Sequence, residues 1–200
     1  QLGDDAFKYL YVPSSRDIDL DIDKIFVNLS ISRNDESEAE NNQNDLLVIG
    51  NRIKVMGDPG AGKSSLIKKV YRGICQTALE APRKSKFPIL IELKNIKPPV
   101  DIDNPGKWFF NQIKFDIAKN KVYNIEDCFD NYAENKGLLL LLDGLDEVSS
   151  AIYPKIADCI NGLSEYLNDL SEHNVIVLTM RTQFYQQIKS NFVINFPNNC

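Results

Sequence analysis

Gly57-Asp58-Pro59-Gly60-Ala61-Gly62-Lys63-Ser64 is the stretch on which the reading of this chain turns. It fits G-x-x-x-x-G-K-[ST], and each position has a chemical reason. Glycines let the backbone adopt positive φ and approach an anion without a Cβ clash. Successive N–H groups then form an anion-binding nest. A helix starting after the loop adds the positive end of its dipole. Gly57 through Ser65, with Asp58, Pro59, Gly60, Ala61 and Gly62 between, are the candidate contacts for a nucleoside triphosphate. Lys63 is expected to reach the β- and γ-phosphates, and the Ser64 hydroxyl to bind Mg²⁺. Such a match arises by chance in roughly one random chain in a hundred. Its flanks decide against chance. Ile53, Val55 and Met56 predict a strand over 52–57, and Leu66, Ile67, Val70, Tyr71, Ile74 and Ala78 share one face of a helix over 63–79.

Working outward, apolar runs alternate with amphipathic stretches. FPILIEL predicts a strand over 87–93. Asn104 and Pro105 form an N-cap and N1 pair, opening a helix that carries Phe109, Ile113 and Ile117. Five leucines, 138–142, are short and bounded by Gly137 and Asp143-Gly144, which favours a strand buried on both faces. A helix with Ile156, Ile160, Leu163, Leu167 and Leu170 follows, then a strand over 175–180, a short helix near 183–190 and a fifth strand over 193–196. The fold class this predicts is α/β: three layers, a mostly parallel five-stranded sheet with helices on both faces. Ligands in such folds sit beyond the carboxyl ends of the strands.

Polar residues gather at that edge. Asp143 directly follows the leucine strand, where a carboxylate can hold Mg²⁺. Asp146 and Glu147 lie on the next turn, and either could orient or deprotonate an attacking water. Three crowded carboxylates repel, so a metal or a raised pKa is expected to relieve them. The strand over 175–180 runs into polar residues in the same way, at Arg181 and Thr182. If that strand lies beside the acidic one, Arg181 can face a γ-phosphate and stabilise developing charge; the competing reading is an ordinary surface arginine.

The 200 residues suit one domain, or one domain plus an appendage, and an apolar fraction of 43% allows a real core. A net charge of −5 argues against bulk nucleic-acid binding and leaves room for a local basic groove. The four cysteines (Cys75, Cys128, Cys159, Cys200) form no C-x-x-C, and His173 is the one histidine, which disfavours a zinc site. The first three fall in expected helices and read as small buried apolar residues in a reducing compartment. No apolar run is long enough to cross a membrane as a helix. The beginning lacks the features of a secretory signal and an initiator Met, so the chain reads as cut from something larger. Residues 1–31 suggest one or two strands, and the acidic stretch 32–45 a mobile loop.

Together, GDPGAGKSS, LLLLLDGLDEV and VIVLTMRTQ resemble the NACHT family of STAND signalling P-loop NTPases, bacterial members in particular, over roughly residues 46–197. The second segment is the most specific: a small residue after the magnesium Asp, then an acidic pair two positions on, matched by Asp143, Gly144 and Asp146-Glu147. The resemblance implies Glu147 as the hydrolytic carboxylate and Arg181 as the γ-phosphate sensor. The family pattern differs here at Met180 and Thr182, which flank that arginine. It also implies a division into residues 1–45, an N-terminal extension, and 46–200, a nucleotide-binding core ending before the family's helical lid and winged-helix domains. The aromatic segment around Tyr11, Val12 and Pro13 is loosely similar to the stretch preceding the loop in bacterial members, where the base would sit.

The functional expectation is an ATP-binding, slowly hydrolysing switch with Mg²⁺, exchanging ATP for ADP. It would control self-association of a larger cytoplasmic signalling or antiviral-defence protein, the fragment itself being monomeric. No N-K-x-D guanine-reading motif is present, and the likeness favours ATP over GTP. The trigger and effector are unspecified, with no sign of a membrane or nucleic-acid partner. The alternatives are an AAA+-like motor or loader and a nucleotide-binding module with negligible catalysis.

Overall fold

All five leucines from Leu138 to Leu142 are completely buried. Neighbouring side chains on a strand point to opposite faces, so such a run survives only in a sheet covered on both sides. The computed structural model, which describes residues 9–10, 20–21, 50–82, 84–119, 125–188 and 194–196, shows that sheet.

Two short strands, β1 (Tyr9–Leu10) and β2 (Leu20–Asp21), pair antiparallel, in keeping with the strands expected early in the chain. β3 (Arg52–Gly57) leads through the glycine loop into α1 (Lys63–Glu80). β4 (Phe87–Glu92) runs into a 3-10 turn (Leu93–Asn95), followed by α2 (Pro105–Ala118) and α3 (Ile125–Asn131), which ends in a π-helical turn (Tyr132–Lys136). β5 (Leu138–Asp143), a second 3-10 turn (Leu145–Glu147), α4 (Tyr153–Leu170), β6 (Val175–Arg181) and α5 (Thr182–Ile188) complete the order. The main sheet is parallel with strand order β3-β6-β5-β4. The leucine strand and β6 occupy its middle, which is why both are nearly wholly apolar. Pro88 lies on β4, an edge strand, where its missing N–H costs no ladder bond.

Strand alternation splits the core into two clusters. Leu139, Leu141, Val175, Val177 and Ile53 meet Leu66, Ile67 and Val70 of α1 on one face. Leu138, Leu140, Leu142, Ile176, Leu178 and Met180 meet α2, α3, α4 and α5 on the other. The expected cap of α2 is present: Lys107 N–H donates to Asn104 Oδ1 at 2.9 Å. α2 and α4 touch backbone to backbone, since a Cβ on Gly162 would fall 2.7 Å from the Gly106 nitrogen.

Two expectations need correction. Among the described residues the parallel sheet has four strands, not five. Residues 194–196 carry no strand pairing, and Val193 lies outside the described residues. Ile194 and Phe196 are nonetheless buried, and the Asn195 N–H donates to Asn161 Oδ1 of α4 at 2.8 Å. Cys128 is exposed rather than buried, whereas Cys159 is buried as expected. The stretch 32–45 lies outside the described residues. Among the described residues no helix is long and apolar enough to cross a membrane.

Candidate functional site

Strand β3 ends at Gly57, and α1 begins at Lys63 after five intervening residues. Gly60 (φ 80°) and Gly62 (φ 80°, ψ 15°) adopt the left-handed conformation that side chains resist. They fold the loop tightly enough for the Ala61 N–H to donate to the Asp58 carbonyl at 3.1 Å. The first turn of α1 has no acidic residue and no side-chain cap, so the protein leaves the positive helix end unneutralised. The Lys63 ammonium bends back over the loop, donating to the carbonyls of Gly57 (2.7 Å) and Asp58 (3.0 Å). Asp58, Pro59, Gly60, Ala61 and Ser64 are exposed, while Ser65 is half-buried. An ammonium, a helix N-terminus and turned-in backbone together suit an anion with several oxygens.

The strand order gathers the remaining polar residues around this loop. β6 lies between β3 and β5, with Gly57 in register with Arg181 and Leu142 with Leu178. The condition attached to Arg181 is therefore met, since its strand neighbours both the loop strand and the acidic one. Asp143, Thr179 and Arg181 alternate in phase with Leu141 and Val177, so all three belong to the sheet face covered by α1.

Thr179, 1% exposed, organises the acidic strand end. Its hydroxyl donates to Asp143 Oδ1 at 2.5 Å and accepts the Gly144 N–H at 2.9 Å. The carboxylate is thus held in one orientation at the sheet edge. Sequence reasoning missed Thr179. Its signal was a lone hydroxyl inside an apolar strand, meaningful only once the strand order is known.

Gly144 turns the chain at φ 77°, ψ 52°. That left-handed φ favours glycine after Asp143, and a Cβ there would also press on Glu147, 3.2 Å from its Cδ. The 3-10 turn then separates the acidic pair. Asp146, its side chain 7% exposed, pairs with Arg181 Nε at 2.7 Å and accepts the Arg181 backbone N–H at 3.1 Å. Glu147, its side chain 47% exposed, accepts from Lys94 Nζ at 3.2 Å, and Glu92 lies 3.6 Å from the same ammonium. The hydrogen bond that Lys94 donates to Glu147, with the charges of Glu147 and Glu92, raises the Lys94 pKa. Each of the three crowded carboxylates therefore has its own donor: a hydroxyl, a guanidinium or an ammonium. Lys94 was also missed, because its role depends on β4 lying next to β5. Tyr11, Val12 and Pro13 lie outside the described residues.

The family model of the NACHT domain matches residues 51–195, well over half of the chain. The chain belongs to the NACHT family. As a NACHT domain it is a nucleotide-binding P-loop NTPase, with the α/β architecture described above. No curated protein matches it. Among solved structures it is distantly similar to a chain in the structure of Drosophila ORC bound to DNA: 15% identity, TM-score 0.44, covering 74% of this chain. The NACHT chain spans 36% of the length of that protein.

Proposed function

We propose that this NACHT core binds Mg-ATP at the Gly57–Ser65 loop, hydrolyses it slowly, and serves as the nucleotide-controlled switch for self-association of a larger signalling protein. A cytoplasmic antiviral-defence setting fits the resemblance to bacterial members. The observation that carries the reading is the meeting of three strand ends at one sheet edge: the loop after β3, Asp143 at the end of β5, and Arg181 between them at the end of β6.

Lys63 would leave the carbonyls of Gly57 and Asp58 for the β- and γ-phosphates, exchanging two neutral acceptors for charged ones. The exposed Ser64 hydroxyl and the Thr179-oriented Asp143 carboxylate are hard oxygen donors suited to magnesium. A magnesium ion bound there would neutralise charge on the transferred phosphate. Glu147, the more exposed member of the acidic pair, would align a water against the γ-phosphorus and accept its proton. The new P–O bond forms in line as the bond to the β–γ bridging oxygen breaks, leaving ADP and phosphate. Arg181 would counter the charge on the γ-phosphate oxygens. The adenine would lie against the segment preceding the loop, near Tyr11, Val12 and Pro13.

A nucleotide-binding module with negligible catalysis is the second reading. The contact between Glu147 and Lys94 favours it, since a paired carboxylate is a poorer base. Glu147→Gln separates the two. The first reading expects ATP affinity within about threefold of wild type and hydrolysis slowed at least about a hundredfold. Equal turnover in both proteins would leave the binding module standing. Should full-length protein assemble equally well with Lys63→Ala, the switch would be excluded.

A further inference from the structure

Asp146 and Glu147 are neighbours in sequence, but the structure divides their surroundings sharply. Both oxygens of Asp146 are committed to one residue: Oδ2 to the Arg181 Nε and Oδ1 to the Arg181 backbone N–H. With its side chain 7% exposed, Asp146 has little access to solvent. The Arg181 side chain is 51% exposed. An arginine that open would normally sample many rotamers, and ordering it at a ligand would cost affinity.

A guanidinium carries five N–H donors, one on Nε and four on the terminal nitrogens. Asp146 takes only the Nε donor. Among the described residues the terminal nitrogens have no hydrogen-bond partner, so four donors remain for a ligand. The backbone bond to Oδ1 fixes the base of the same side chain, at the strand position level with Gly57. The arginine is thus gripped at its stem and left open at its tip, beside the first residue of the phosphate loop.

We infer that Asp146 is a positioning residue for Arg181, pre-organising the guanidinium for the γ-phosphate, and that it takes no part in activating water. This rests on the reading of Arg181 as the γ-phosphate contact, and it gives the two acidic residues separate tasks. Asp146 serves discrimination between triphosphate and diphosphate, and Glu147 serves hydrolysis.

The test is the ratio of ADP to ATP dissociation constants, measured with Mg²⁺ by titration calorimetry on this chain. The proteins compared are wild type, Arg181→Ala, Asp146→Ala, Asp146→Asn and the double alanine variant. Arg181→Ala is expected to lower the preference for ATP about tenfold, the loss of one charged hydrogen bond. Asp146→Ala should lower it in the same sense by about three- to tenfold, and the double variant no further than Arg181→Ala alone. ADP affinity should stay near wild type in all of them. A structural role alone would move ATP and ADP affinity together and leave the ratio intact. An unchanged ratio in Asp146→Ala, with a lowered one in Arg181→Ala, overturns the inference and spares the sensor reading. An unchanged ratio in Arg181→Ala overturns the sensor reading and the inference with it. If Asp146→Ala fails to fold, Asp146→Asn decides. It keeps an acceptor for the Arg181 N–H but loses the charge, so a lowered ratio supports the inference and an unchanged one overturns it. Abolished hydrolysis in Asp146→Asn with the ATP preference intact would also overturn it.

Discussion

Thr179 shows how much a single residue can hold in place. It is buried, and it satisfies two groups at once: the Gly144 N–H and the Asp143 carboxylate. Thr179→Val keeps the shape and removes both bonds. It should cost about 1–3 kcal/mol of stability, the penalty for stranding a buried polar group, and should weaken magnesium-dependent ATP binding more than magnesium-free binding. Urea denaturation and calorimetry with and without Mg²⁺ check this; equal losses with and without the metal would count against Asp143 as its ligand. The cysteines give a second prediction. Burial pushes the Cys159 thiol from 9.0 to about 11, helped by the charge of Asp158. Between those values the unfolded thiol ionises while the native one stays protonated, so this group makes stability fall as pH rises above 9.0. At pH 8 a maleimide should label exposed Cys128 and spare Cys159 until the protein unfolds. Mass spectrometry showing both labelled at similar rates would contradict the assigned burial.

At the scale of elements, the contact between α2 and α4 is the tightest constraint. A Cβ on Gly106 would overlap the backbone at Gly162. Backbone atoms cannot rotate away, so Gly106→Ala must push the helices apart or tilt them. A loss of about 2–3 kcal/mol is expected in urea denaturation, typical of overpacking; a neutral effect would mean the helices pack more loosely than described. Neither glycine drew notice in the sequence, because close helix approach depends on which faces meet. Most strands and helices were legible, since their apolar periods matched their eventual burial. The last expected strand was not. Ile194 and Phe196 face inward, so the alternation was real. Alternation reports which side chains are buried, however, and does not report whether the backbone pairs with a neighbour. Asn174 was equally opaque. It sits in a turn-like stretch, yet it is buried and bonds Leu138 N, Ala133 O, Leu167 O and Ser171 O at 2.8–3.1 Å, tying the start of β5 to the ends of α4 and the π-helical turn.

For the molecule as a whole, the strand order turns scattered motifs into a site. The loop after β3 and the acid that ends β5 are far apart in sequence, and β6 joins them from between. The loop chemistry was readable in advance because its spacing is rigid and local. The partners that hold each carboxylate, Thr179, Arg181 and Lys94, were not, because they come from another strand, β6, and from the 3-10 turn after β4. The most direct test of the account is calorimetric titration of ATP with Mg²⁺ into this chain and into Lys63→Ala. Removing an ammonium proposed to meet two phosphates is expected to weaken binding at least about thirtyfold, with circular dichroism showing both proteins equally folded. Equal ATP affinity in the two proteins would contradict the assignment of the Gly57–Ser65 loop as the nucleotide site.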